Sequence, residues 1–205
     1  MANLVTLARL CFLFVLVVNA YSRGYLLLAN LPLLILIFVL DGVDGYVARK
    51  RHEESLLGSI FDIAADRVVE NVLWLVLMDL DLVPLWVPVV FIIRSLFVDS
   101  IRSHFASRGQ TPFGMMQSAV GRFLVSGRFM RIFYAALKAV TFGYIFLIQP
   151  WPALVPGFYH NWFTAITLIK ELLIYTTVFV CLLRGLPVLV EFFFMVKAEF
   201  QVQQS

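Results

Sequence analysis

Long apolar blocks alternate with short polar connections along this chain, and the block lengths predict helices that cross a membrane. Six blocks can be read, over residues 4–20, 25–40, 57–78, 85–99, 132–148 and 163–183. A spanning helix needs roughly 20 mostly apolar residues. Several blocks are shorter, so their helices are expected to continue past the bilayer into water. Pro32 predicts a bend in the second span. Pro150, Pro152, Pro156 and Gly157 mark the turn between the fifth and sixth spans. A last apolar stretch, residues 186–196, is too short to cross. It is expected to lie at the interface or to pack against the bundle. The expected fold is all-α, a polytopic membrane protein built as a six-transmembrane-helix bundle, with residues 1–205 forming a single domain.

Composition supports that expectation. Of 205 residues, 61% are hydrophobic and 14% charged, and the mean hydropathy is +0.91. A soluble domain is nearer half apolar and one quarter charged. Cys11 and Cys181 both fall in apolar runs and read as small buried hydrophobes, with no disulfide framework. Arg9 lies inside the first apolar stretch with no basic region before it, so a cleaved signal peptide is not expected.

The net charge of +3 is small, and its placement says more than its size. Arg49, Lys50 and Arg51 lie between spans two and three; Arg102, Arg108, Arg122, Arg128 and Arg131 lie between four and five. The opposite connections hold only Arg23, Asp79, Asp81 and an uncharged Pro-rich turn. Lys and Arg favour the cytoplasmic side. Both termini and the connection between spans two and three should therefore face the cytoplasm. No nucleic-acid partner is expected, and no internal repeat is visible.

That connection carries the chemistry. Asp41, Asp44, Gly45 and Ala48 fall at i, i+3, i+4 and i+7, so they share one helical face. Gly58, Asp62 and Asp66 fall at i, i+4 and i+8, again on one face. Spans two and three must run antiparallel, so the two faces can meet near the cytoplasmic surface. Asp62 and Asp66 would lie roughly 5–15 Å into the third span, at headgroup depth. An ionisable group in a membrane helix is costly and is rarely kept without a task. Four acids packed together would repel each other. Bound divalent metal is the simplest remedy, and carboxylate oxygens suit Mg²⁺ or Mn²⁺. A pair of such ions can grip a pyrophosphate. A single Asp at a membrane edge is more simply solvated by headgroups or paired with arginine. Four of them on two facing stripes, with glycines between, point to metal.

These residues match the signature D-x-x-D-G-x-x-A-R-x8-G-x3-D-x3-D, with Asp41, Asp44, Gly45, Ala48, Arg49, Gly58, Asp62 and Asp66 at its fixed positions. The chain thereby resembles the CDP-alcohol phosphatidyltransferases over about an eighth of its length. The resemblance implies a six-helix bundle, commonly a homodimer, with two ions of Mg²⁺ or Mn²⁺ at the membrane edge. It implies that Asp41, Asp44, Asp62 and Asp66 ligate them, and that Asp66 is the catalytic base for an acceptor hydroxyl. It places Gly45, Arg49, Ser55 and Gly58 along the CDP part of the donor. Asn3, Thr6 and Arg9 form an N-x-x-T-x-x-R pattern that recurs near the nucleotide in family members. The implied reaction transfers a phosphatidyl group from CDP-diacylglycerol to a small alcohol and releases CMP.

Two arginine clusters bear on the acceptor. Arg94 and Arg102 share a stripe at the end of span four; Arg128 and Arg131 open span five. Arginine binds phosphate through a fork of donors, so a phosphorylated acceptor is expected. Residues 94–102 resemble the R-E-x5-L-R region of phosphatidylglycerophosphate synthases, which implies glycerol 3-phosphate. Ser95 departs from that pattern, and residues 127–131 replace the lysine-rich start usual at span five. Inositol phosphate, serine or another alcohol is the alternative acceptor. A cation-binding transporter is the alternative of a different class. The clustering of acids at one face, without inverted duplication of the spans, argues against it.

Overall fold

The computed structural model describes residues 2–51, 56–107 and 121–203, apart from the side chains at 2, 3, 44–51, 56, 57, 59, 106, 107, 196 and 198–203. Every regular element among the described residues is helical: α1 (Ala2–Ala20), a 3₁₀ segment (Gly24–Ala29), α2 (Asn30–Arg51), α3 (Leu56–Asp79), α4 (Trp86–Ser107), a π-helical segment (Arg122–Ser126), α5 (Arg128–Ile148), two short helices α6 (Trp151–Leu154) and α7 (Pro156–Asn161), and α8 (Phe163–Gln203). Among the described residues, three stretches are long and apolar enough to cross a membrane: Gly24–Val43, Arg128–Leu154 and Phe163–Met195. Leu4–Ala20 is a shorter apolar helix. The long helices α3 and α4 are apolar too but carry charges of their own, Asp62, Asp66, Arg67 and Glu70 in one and Arg94, Asp99 and Arg102 in the other.

The chain forms two compact units, residues 1–88 with 139–172, and residues 89–138 with 173–205. In the first, α1 packs on α2 and α3. Its core holds Leu13, Leu16, Leu34, Ile37, Leu73 and Leu77, and the Trp74 and Phe142 rings meet with centroids 4.5 Å apart. An amide network ties one end of this unit. Asn19 donates to Asn30 Oδ1 at 2.7 Å, Asn30 donates to Gln149 Oε1 at 2.8 Å, and Gln149 donates to the Ala20 carbonyl at 2.8 Å. Asn30 is fully buried, so these bonds replace the water it has lost.

Pro32 lies just after a change of helix type within its apolar stretch. The helix α2 begins at Asn30, which places Pro32 in the first turn, where a missing N–H costs nothing. The preceding apolar residues are 3₁₀-helical. In the second unit Val98, Ile101, Phe105, Val125 and Val188 form a buried cluster, flanked by Leu124, Leu189, Phe192 and Met195. The last apolar stretch therefore packs inward as part of α8, which runs unbroken through Pro187 for 41 residues. Gly127 joins the π segment to α5. A Cβ there would stand 2.2 Å from the Phe123 carbonyl oxygen, so only glycine fits.

Candidate active site

Opposite the amide network, three helices of the first unit deliver charge to one place. The start of α1 supplies Arg9, the middle of α2 Asp41, and the first turns of α3 Asp62 and Asp66. The antiparallel run of α2 and α3 brings acids from two sequence blocks together. One oxygen from each of Asp41, Asp62 and Asp66 lies within 4.8 Å of the others. All three side chains are about half exposed, so solutes can reach them.

Arg9 sits beneath them with 1% of its side chain exposed. Its guanidinium donates Nη1 to Asp41 Oδ1 and Nη2 to Asp66 Oδ1, the latter at 2.6 Å. Asp62 Oδ1 is 3.9 Å from Nη1. The acids thus have an internal counter-charge, which the sequence reading did not give them. One positive charge against three carboxylates still leaves the cluster negative and attractive to cations.

Thr6, one turn before Arg9 on α1, is buried, and Gly58, one turn before Asp62 on α3, is partly buried. Ser55 and the side chains of Asn3, Asp44, Gly45 and Arg49 lie outside the described residues. The arginines assigned to the acceptor all fall in the second unit. Arg94 is 8% exposed and lies against Gly185 of α8, whose absent Cβ would stand 2.9 Å from Arg94 Cγ. Arg102 is half-buried on α4; Arg128 and Arg131 are exposed at the start of α5.

The sequence reading missed two further charges. Arg184 on α8 is buried, donates Nε to the Leu124 carbonyl at 3.1 Å, and stands over the Tyr134 ring at 5.1 Å. Glu70 continues the Asp62–Asp66 stripe by one more turn and accepts from Arg67 Nη1 at 3.1 Å. Both carried a visible signal. Arg184 is a cation set between apolar residues just past the end of the sixth block, and Glu70 keeps the i+4 spacing of the acids before it.

Apolar helices and a carboxylate cluster with its own arginine define an integral membrane protein with a cation-attracting centre. Over residues 1–155 the sequence matches the family model of the CDP-alcohol phosphatidyltransferases, and the chain belongs to that family. It is also 34% identical over 83 residues to the CDP-diacylglycerol–glycerol-3-phosphate 3-phosphatidyltransferase of Bacillus subtilis (strain 168). That match spans 40% of this chain and 43% of the relative.

Proposed function

We propose that this chain is a membrane phosphatidyltransferase that moves a phosphatidyl group from CDP-diacylglycerol to glycerol 3-phosphate and releases CMP. The observation that most supports this is the convergence of Asp41, Asp62 and Asp66 from α2 and α3 in a member of this family. The acceptor follows the name of the Bacillus subtilis relative and the arginines at positions 94 and 102.

The donor set fits divalent metal. Hard carboxylate oxygens stand within 4.8 Å of one another, and their charge exceeds what Arg9 returns. Asp41, Asp44, Asp62 and Asp66 would hold two ions of Mg²⁺ or Mn²⁺. Bound there, the ions would offset charge on the attacking and leaving oxygens. Asp66 takes the proton of the acceptor hydroxyl. The freed oxygen attacks the β-phosphorus of the donor, the bond from that phosphorus to the bridging oxygen breaks, and CMP departs with it. A carboxylate suits the proton transfer once the hydroxyl is within hydrogen-bond reach. Asn3, Thr6, Gly45, Arg49, Ser55 and Gly58 line the CDP moiety. Arg94, Arg102, Arg128 and Arg131 hold the acceptor phosphate, with fork geometry favouring that group.

In this reading residues 1–205 act as one domain. Six crossings are made by α1, the 3₁₀ segment with α2, α3, α4, α5 and α8. The acids and both termini face the cytoplasm, and two copies associate. The donor's acyl chains remain in the bilayer while its headgroup reaches the acids from the side.

The decisive assay supplies purified protein with Mg²⁺ or Mn²⁺, CDP-diacylglycerol and a panel of acceptors. CMP release is expected with glycerol 3-phosphate. Release only with inositol phosphate, serine or another alcohol would keep the chemistry and replace the acceptor. The Asp66→Asn protein should lose release by at least about a hundredfold, the scale of a general base, with its helical signal retained. Cation flux in liposomes without CMP release from any acceptor would reject the enzyme.

A further inference from the structure

We infer that Arg9 is a built-in rival for the acidic cluster, competing with a divalent ion for Asp41 and Asp66 and thereby setting how tightly that ion is held. The inference rests on the metal reading of the cluster. Its observations are the placement and the bonds of one side chain. Arg9 is 1% exposed, yet its two terminal nitrogens donate to Asp41 on α2 and Asp66 on α3, and Asp62 stands 3.9 Å away. The guanidinium therefore bridges the two acidic stripes from beneath.

Arg9 brings a positive charge to the acids. The oxygens it engages are also the ones a cation would use. An ion held by Asp41 and Asp66 must take lone pairs from Arg9 and tolerate a like charge a few ångströms away. Arg9 itself is 1% exposed, so water screens it less than it screens the half-exposed acids. Two consequences follow for the site. Without an ion, Arg9 offsets part of the repulsion among three acids that α2 and α3 hold in place. With an ion, Arg9 weakens the hold until an anion arrives to balance the surplus positive charge. A CDP pyrophosphate is such an anion, so tight cation binding becomes linked to donor binding. A merely structural arginine would make the opposite mark. Its loss would scatter the acids and weaken cation binding.

The test is Mn²⁺ binding to the full-length purified chain in detergent, followed by the loss of the free-ion electron paramagnetic resonance signal. Arg9→Gln should bind Mn²⁺ about tenfold tighter or more, the scale of removing one adjacent like charge. Arg9→Lys keeps the charge and should stay within about threefold of wild type on the same scale. Adding CDP should tighten Mn²⁺ binding in wild type far more than in Arg9→Gln. Equal or weaker Mn²⁺ binding by Arg9→Gln overturns the inference. If circular dichroism shows that Arg9→Gln has lost its helices, Arg9→Met is judged by the same criterion, since its unbranched stem suits the apolar surroundings. Wild-type protein that turns over, paired with a variant of unchanged affinity, rejects the Arg9 role alone. An absence of Mn²⁺ binding in both proteins rejects it together with the metal reading.

Discussion

At Arg9 a single side chain answers an electrostatic problem posed by residues far along the chain. Its partners Asp41 and Asp66 lie 32 and 57 positions away. The acids were legible from sequence because their spacings repeat within one helix, and a repeat needs only local geometry. The pairing of Arg9 was not, since it depends on how α1 packs against α2 and α3. Arg94 raises the same issue in the second unit. Its aliphatic stem runs under Gly185, where a methyl group would arrive 2.9 Å from Cγ. Cγ is close to the backbone and cannot swing clear as a side-chain tip would. Gly185→Ala is therefore expected to displace the Arg94 side chain and raise the KM for glycerol 3-phosphate several-fold, leaving Mn²⁺ affinity unchanged. Steady-state kinetics with varied acceptor, beside Mn²⁺ titration, checks both halves.

Among the elements, the beginning of α2 shows how local rules and packing divide the work. A proline inside an apolar block reads as a bend. In the folded chain the preceding turn is 3₁₀, and the α-helix starts two residues earlier, so the proline sits where helices accept it. What holds that start is Asn30, bonded to Asn19 and Gln149. Replacing Asn30 with Ala would leave two half-buried amides, Asn19 and Gln149, each short of one partner. The expected cost is about 1–3 kcal/mol, seen as a lower melting temperature in detergent, while Asp41 and Arg9 keep their contacts at the other end. The interior of α8 teaches a complementary lesson. Residues 186–196 looked too short to cross, and Pro187 lies among them. They nonetheless continue one helix, because Val188, Leu189 and Phe192 find apolar partners on α4 and in the π segment. Partners of that kind are invisible to a search along the chain.

For the whole molecule, the acids belong to one compact unit and the arginines to another, while α4, α5 and α8 supply residues to both. The apolar blocks were readable because a membrane imposes long, uniform runs. The grouping of residues 139–172 with the first 88 positions was not, because it joins segments distant in sequence. The proposed orientation is open to a direct check. Reporters fused to either end should both be protected in sealed cells and exposed in inverted vesicles, and a split result would remove the six-crossing arrangement. The proposed need for metal can be tested at this scale too. Chelation by EDTA should stop CMP release, and Mn²⁺ or Mg²⁺ added back should restore it.

The unequal reach of the apolar rods has one more implication. The stretch Phe163–Met195 holds 33 residues, roughly 50 Å of helix, against a hydrocarbon layer of roughly 30 Å. No ordinary lipid mixture is thick enough to strand it. The stretch Leu4–Ala20, by comparison, is roughly 25 Å long. Bilayer stretching or thickening will therefore be felt first by this shorter rod, which carries Arg9. The acyl-chain length of the surrounding lipid would then bear mechanically on the acidic cluster that Arg9 joins.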